Sequence, residues 1–236
     1  MTSSLRDLKV YTTYPHSCSY LEDQEAVTLF VDPRTRMDAR LYSRLSSMGF
    51  RRSGAHVYRP YCAQCSACIP ARLPVADFVP SRSQKRNLKA NADLDVVEHS
   101  TIDDDRHYEL YQRYIEARHS DGDMYPPDRE QFVSFLSQEW DVTRYFSFFD
   151  QGRLLATAVV DQLDDGLSAI YTYYDPDDER RGLGKYAILW QIELAVQMGL
   201  PYLYLGYWIK ECDKMAYKTE YRPIELFINN RWTALL

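Results

Sequence analysis

Three groups of residues in this 236-residue chain have types and spacing that suit chemistry. Cys62, Cys65 and Cys68 are three residues apart. Thiols so spaced can converge on one ion, and the wording matches the opening of an iron–sulfur run, C-x2-C-x2-C, without its local fourth cysteine. Cys18 could supply that ligand from a distance, for a cluster or for zinc. The alternative is four free thiols packed in a reducing compartment. A second group, Arg82, Lys85, Arg86 and Lys89, falls within ten residues after Pro80-Ser81 and suits phosphate contact. The third is Gly182-Leu183-Gly184, where free backbone N–H groups and a helix N-terminus favour an anion. The five histidines have no metal spacing, and His99, His107 and His119 are expected in solvent. No Ser/His/Asp constellation and no GxxxxGK[ST] nucleotide loop is evident.

The elements that must position these groups follow from pattern. Leu167–Tyr174 is rich in β-branched and aromatic residues and reads as a buried strand, broken by Asp175-Pro176. A helix starts near Lys185, with Ile188, Leu189, Ile192, Ala195 and Val196 at helical spacing, and Pro201 stops it. The aromatic strand Tyr202–Tyr207 follows. Upstream, Thr143–Phe149 and Arg153–Asp161 are strands joined by DQG, and DDG leads into Leu167–Tyr174. Strands are also expected at Val27–Val31, Ala55–Arg59, Ile69–Val75 and Leu94–Glu98. Helices are expected at Met37–Met48, over the basic run after Ser81, at 103–119 and at Glu130–Gln138. Ser120–Pro127 can be neither helix nor strand and is a candidate gate.

Composition separates two halves. Residues 1–91 carry 14 Lys/Arg and 7 Asp/Glu, a net of +7, whereas residues 92–236 carry 14 and 27, a net of -13. A basic half facing a polyanion and an acidic half that does not is the reading this suggests, with Arg51-Arg52 adding to the basic side. The boundary falls near residue 100, giving a basic N-terminal domain over 1–100 and a second domain over 101–236. No apolar run approaches ~20 residues, so no membrane span is expected. The N-terminus lacks a secretory signal pattern, and an odd cysteine count argues against a disulfide framework, so a cytoplasmic location is expected. Cys212 reads as a core thiol.

Antiparallel hairpins feeding a strand–turn–helix–strand unit resemble the GNAT acyltransferase fold. That implies an α/β (α+β) protein with a mixed, largely antiparallel sheet, beside the smaller basic domain. The GNAT phosphate turn is written Arg/Gln-x-x-Gly-x-Gly/Ala, and here Glu179 stands at its first position. A carboxylate there would repel a pyrophosphate, which disfavours coenzyme A. The wider wording is more specific. CSYL (18–21), YRPYCAQCSACIPARLPV (58–75), PSRSQKRNLKAN (80–91), YTYYDPDDERRGLGKYAIL (171–189) and YLYLGYWIKECDKMAYK (202–218) occur in order. Together they resemble the bacterial leucyltransferase branch of the arginyl-tRNA–protein transferase family.

That resemblance implies transfer of leucine from leucyl-tRNA to the N-terminal amine of proteins beginning with Asp or Glu, marking them for N-end rule degradation. Its partners would be leucyl-tRNA and such proteins, with no membrane. Aminoacyl-tRNA is already an activated ester, so no cofactor is required, although cysteines of family relatives have been linked to cluster binding. The basic helix residues Arg82, Lys85, Arg86 and Lys89 are the candidates for tRNA. Asp175, as base, and Tyr174 are the candidate catalytic residues. Arg59, Tyr207, Trp208, Lys214 and Lys218 are the candidates for substrate binding, Arg59 and then Lys218 for the acceptor's carboxylate. Tyr173 and Tyr204 are further candidates to line the cleft. A non-catalytic adaptor that binds acidic N-termini or RNA on a degenerate GNAT core is the competing reading.

Overall fold

The computed structural model describes residues 8–137 and 140–235. Its centre is an eight-stranded sheet in the order β14-β13-β7-β12-β11-β10-β9-β8. These strands are β7 (Ile69–Pro74), β8 (Asp95–His99), β9 (Thr143–Asp150), β10 (Arg153–Gln162), β11 (Gly166–Tyr174), β12 (Tyr202–Trp208), β13 (Ile224–Ile228) and β14 (Arg231–Leu235). Among the described strands only β11 and β12 pair in parallel. Their connection is α5 (Leu183–Gln197), as a parallel crossover requires. The protein is therefore an α/β protein built on a mixed, largely antiparallel sheet. Because β7 and β8 lie before residue 100, the sheet crosses the division drawn there from composition.

A smaller sheet, β1-β4-β6-β5, comes from β1 (Val10–Thr12), β4 (Thr28–Val31), β5 (Arg51–Ser53) and β6 (His56–Pro60). A short ribbon of β2 (His16–Ser17) and β3 (Glu25–Ala26) lies in the same region of the chain. Helix α1 (Ala39–Ser47) is capped by Asp38 and buries Leu41, Tyr42 and Leu45. Helix α2 (Arg82–Ala90) starts at a capping box of Ser81 and Gln84. Helices α3 (Asp105–Arg118) and α4 (Arg129–Leu136) each have an aspartate N-cap, Asp104 and Asp128. They build an aromatic cluster around Tyr111, Phe132 and Tyr173 on one face of the sheet. Helix α5 is buried along Tyr186, Ala187, Leu189 and Ile192 in a second cluster with Leu155, Ala158 and Leu203. Among the described residues no helix is long and apolar enough to cross a membrane.

The small sheet is held to the large one by a buried ion pair. Arg52 Nε lies 2.6 Å from Asp161 Oδ2 and its Nη2 lies 2.8 Å from Oδ1. Both side chains are fully buried, so Arg52 does not contribute to a basic surface as its sequence suggested. Tyr42 Oη (2.9 Å) and Thr143 Oγ1 (2.7 Å) also donate to Asp161. Every oxygen of that carboxylate is thus satisfied, which a buried charge demands. Removing one partner leaves the other charge buried and alone. Arg52→Ala should therefore destabilise the protein by about 3–5 kcal/mol, read as a lower midpoint in urea unfolding. A midpoint unchanged from the parent would show the pair to be dispensable.

Candidate functional site

The sheet opens at β11 and β12. Their parallel pairing runs only from Gly166–Ser168 opposite Tyr202–Tyr204, and beyond it the strands separate. A bulge between Tyr204 and Gly206 helps turn β12 away, and Gly206 takes the left-handed region at φ 77°. Arg51 fills the start of the gap. It donates from Nη1 to Ser168 Oγ at 2.6 Å and from Nη2 to the Ala169 carbonyl. A Cβ on Gly206 would stand 3.3 Å from the Arg51 guanidinium. The segment of α6 (Asp213–Ala216) and the 3-10 turn after it packs on β12. That turn carries Lys218, which is only 3% exposed. Burial, followed by the Arg51 charge, draws the Lys218 ammonium down to about 7.

A cleft of about 230 Å³ opens where β12 meets β7, lined by Arg59, Tyr207, Cys68 and Pro70 among others. Arg59 stands 5.1 Å over the Phe50 ring and has no carboxylate partner among the described residues. Tyr207 donates to the Gly49 carbonyl at 3.0 Å. Trp208 Nε1 is buried and has no hydrogen-bond partner among the described residues. The structure thus brings Arg59, Tyr207 and Cys68 to one place, with Arg51 at the gap and Lys218 buried in the turn that packs on β12. Lys214 pairs with both oxygens of Asp121 at 2.7 and 2.9 Å, and Ser19 donates to Asp123 at 3.2 Å. The loop read as a gate is therefore tied down from two sides.

Other candidates fall elsewhere. Asp175 is buried at the end of β11, where its Oδ1 accepts from Arg113 at 2.7 Å and from the Asp177 N–H at 3.1 Å. Oδ2 faces Arg153 at 3.9 Å, so the carboxylate is held as an ion-pair hub. Tyr174 packs against Tyr114, with ring centroids 4.8 Å apart, and covers Gly184 so closely that a Cβ there would meet it at 3.1 Å. Tyr173 and Tyr204 are core residues, at 0% and 3% exposure. His107 is not in solvent. Its Nδ1 lies 2.8 Å from Asp104 Oδ2 and its Nε2 2.9 Å from Ser147 Oγ. This Asp–His–Ser chain was not visible in the sequence. Ser147 is fully buried, so no substrate reaches it and the chain serves the core.

The turn before α5 is not an open anion cradle. Glu179 is paired with Arg118 at 2.9 Å, and Arg181 with Asp93 and Asp150 at 2.9 and 3.1 Å. Asn87 of α2 donates to the Arg181 and Gly182 carbonyls at 2.8 and 3.3 Å. Asn91 adds a bond to Arg181 at 2.8 Å, and Gln84 one to the Glu220 carbonyl at 3.3 Å. These amides dock one side of α2 and leave Arg82, Lys85, Arg86 and Lys89 exposed on the other.

All five cysteines are free and half-buried, Cys212 included. Burial first, then the neighbouring Cys18, Cys62, Cys65 and Cys212, pushes the Cys68 thiol up to about 12. The thiols therefore share one neighbourhood. Among the described residues, however, no group of three or more His, Cys, Asp or Glu is arranged to hold a metal ion. Cys62 and Cys65 instead accept backbone N–H groups of Val27 and Ala67, each at 3.5 Å.

Comparison with known proteins fits this architecture. The family model described as arginine-tRNA-protein transferase, C terminus, matches residues 106–228, and the N-terminus model matches 16–86. The aspartate/glutamate leucyltransferase of Teredinibacter turnerae is 59% identical over 231 residues, covering 98% of this chain and 95% of that protein. The one of Pseudomonas aeruginosa (strain LESB58) is 58% identical over 233 residues, covering 99% of each. The solved structure of FemX is similar at a TM-score of 0.46 and 9% identity, covering 80% of this chain and 65% of that one. The chain belongs to the arginine-tRNA–protein transferase family, beside its aspartate/glutamate leucyltransferases.

Lys218 makes a stability prediction. Its folded pKa is depressed from 10.5 to about 7, whereas the unfolded chain keeps the proton up to 10.5. Folding therefore releases a proton between those values, and the Lys218 contribution to stability rises with pH across that window and is flat below it. Lys218→Met should melt higher than the parent at pH 7, and the gap should close towards pH 10. Parallel melting curves across that range would contradict the buried cation.

Proposed function

We propose that this protein transfers leucine from leucyl-tRNA to the N-terminal α-amine of proteins beginning with Asp or Glu, marking them for N-end rule degradation. The observation that carries this reading is kinship over essentially the whole chain, at 58–59% identity, to proteins named for that activity. The geometry supports it with an opened sheet edged by cations that lack carboxylate partners.

The chemistry asks little beyond placement. The neutral amine attacks the ester carbonyl of leucyl-tRNA, the amide C–N bond forms, and the ester C–O bond breaks. The ribose oxygen leaves with a proton while the amine loses one. Holding the two substrates together supplies most of the rate, and donors aimed at the developing oxyanion supply more. The unpaired Trp208 N–H and the Tyr174 hydroxyl are candidate donors. Asp175, held by Arg113, would act as base only after release from that pair. The ester is already activated, so no resident cofactor is needed. A cytoplasmic location follows from the supply of charged tRNA.

In this reading the basic residues 1–100 form the tRNA-facing part and 101–236 the acyl-transfer part. The exposed face of α2 meets the phosphates near the tRNA 3′ end, and Lys214 contacts tRNA or acceptor once it leaves Asp121. Affinity for leucyl-tRNA should fall steeply with salt as counterions are released. The double variant Lys85→Glu, Arg86→Glu should raise the KM for leucyl-tRNA at least tenfold and leave the KM for peptide within about threefold. Each lost phosphate contact should lower the salt slope by about 1. The decisive assay incubates the protein with charged tRNA pools and an Asp-initiated peptide, and weighs the product. Leucine at the peptide N-terminus is the expected result. Its absence with every charged pool would reject transfer and leave a binding module.

A further inference from the structure

Lys218 holds its amino group at 3% exposure with no oxygen acceptor among the described residues. Its only hydrogen-bonding contact among the described residues is Met215 Sδ at 3.2 Å, and its Nζ lies 4.7 Å from the Tyr217 ring centroid. After burial, the largest influence on it is the Arg51 charge, of like sign, opposed more weakly by the Cys212 thiol. Arg51 also has no carboxylate partner among the described residues. Arg59 apart, other buried and half-buried arginines are matched, among them Arg52 by Asp161, Arg72 by Glu225, and Arg181 by Asp93 and Asp150. Burying an ammonium without a counter-charge, within the field of a guanidinium, is costly, and an anion between the two removes the cost.

We propose that Arg51 and Lys218 together form the subsite for the acceptor's side-chain carboxylate and so set the preference for N-terminal Asp and Glu; this rests on the leucyl-transfer reading above. Three observations make the anion a side-chain carboxylate. The first is depth: a group that reaches a lysine at 3% exposure must be small and carried on a short arm, whereas a tRNA phosphate brings its backbone with it. The second is position. Arg51 is pinned to Ser168 and Ala169 at the level where β11 and β12 part, the opening at which, on the leucyl-transfer reading, amine and ester meet. The third is the surroundings. Asp175, the acid that ends β11, is already neutralised by Arg113, so nothing on that strand competes for the two cations. Arg59 is the weaker choice, because it lies over Phe50 beside an open cleft where water screens it.

An amide acceptor fits the same space but leaves both cations without a partner, so Asn and Gln are rejected. The test compares the parent with Lys218→Met, Arg51→Met and Arg51→Lys on Asp- and Asn-initiated peptides. Lys218→Met should lower kcat/KM for the Asp peptide about 100-fold, the size expected for losing one member of a buried ionic contact. It should narrow the Asp-over-Asn preference and leave the KM for leucyl-tRNA within about threefold. Arg51→Lys, which keeps the charge, should retain more of that preference than Arg51→Met. Calorimetric binding of the same peptides without tRNA should give the same order. An Asp-over-Asn ratio unchanged in Lys218→Met would overturn the subsite, as would a loss that falls on the KM for leucyl-tRNA, which would make the anion a tRNA phosphate. If the parent adds leucine to no peptide, the leucyl-transfer reading fails; the binding arm then decides the subsite by itself, and equal binding of Asp and Asn peptides to the parent rejects it.

Discussion

The buried pair between Arg52 and Asp161 is the constraint on which the site depends. Arg52 lies on β5 of the small sheet and Asp161 on β10 of the large one. Arg52 also reaches the Phe135 and Leu136 carbonyls at 3.4 and 3.3 Å, so one side chain ties the small sheet, the large sheet and the end of α4 together. Successive residues of a strand point to opposite faces. With Arg52 fixed inward, Arg51 must project the other way, into the gap between β11 and β12. The same short strand therefore carries a satisfied charge on one face and an unsatisfied one on the other. The first sets the position of the second.

The distribution of pairing separates structure from function better than charge itself does. Arg113, Arg118, Arg144 and Arg181 all have carboxylate partners within 3.1 Å. They hold α3, β9 and the turn before α5 in place, although exposed pairs of this kind contribute little each. Arg51, Arg59, Lys218 and the exposed side of α2 have none among the described residues. Lys218 is the costly member of that set, because burial and Arg51 both oppose its charge. A chain that retains such a residue gives up stability at that point, as binding sites commonly do.

Much of the fold was legible because it is local. The DQG and DDG turns and the breaker at Asp175-Pro176 define β9, β10 and β11 within a residue or two of the observed bounds, and the apolar spacing from Ile188 to Val196 falls inside α5. The β13–β14 hairpin was missed, although Asn229 and Asn230 carry its signal: both take positive φ, 52° and 59°, as a two-residue hairpin loop requires. Arg52 misled, since an Arg-Arg pair reads as surface until Asp161, 109 residues away, is placed beside it. His107 misled for the same reason, its partner Ser147 being 40 residues distant. Arg51 gave no signal, because what marks it is the lack of a partner, and that exists only in three dimensions.

Glu179 was the odd residue of the sequence, and its pairing with Arg118 explains it. In a GNAT-like frame the turn before α5 is where backbone N–H groups would meet a pyrophosphate. Here its carbonyls accept Asn87 and Asn91, its arginine is spent on Asp93 and Asp150, and its acidic residue faces a helix. The cradle has become a socket for α2. A donor held through that turn would be small and compact, whereas the exposed side of α2 offers an extended row of cations that suits a polyanion bound along its backbone. The gap between β11 and β12 does not depend on that exchange, since it is set by the strand bulge at Gly206 and by Arg51. The docked amides of α2 thus close the turn before α5 without touching the opening of the sheet at β11 and β12.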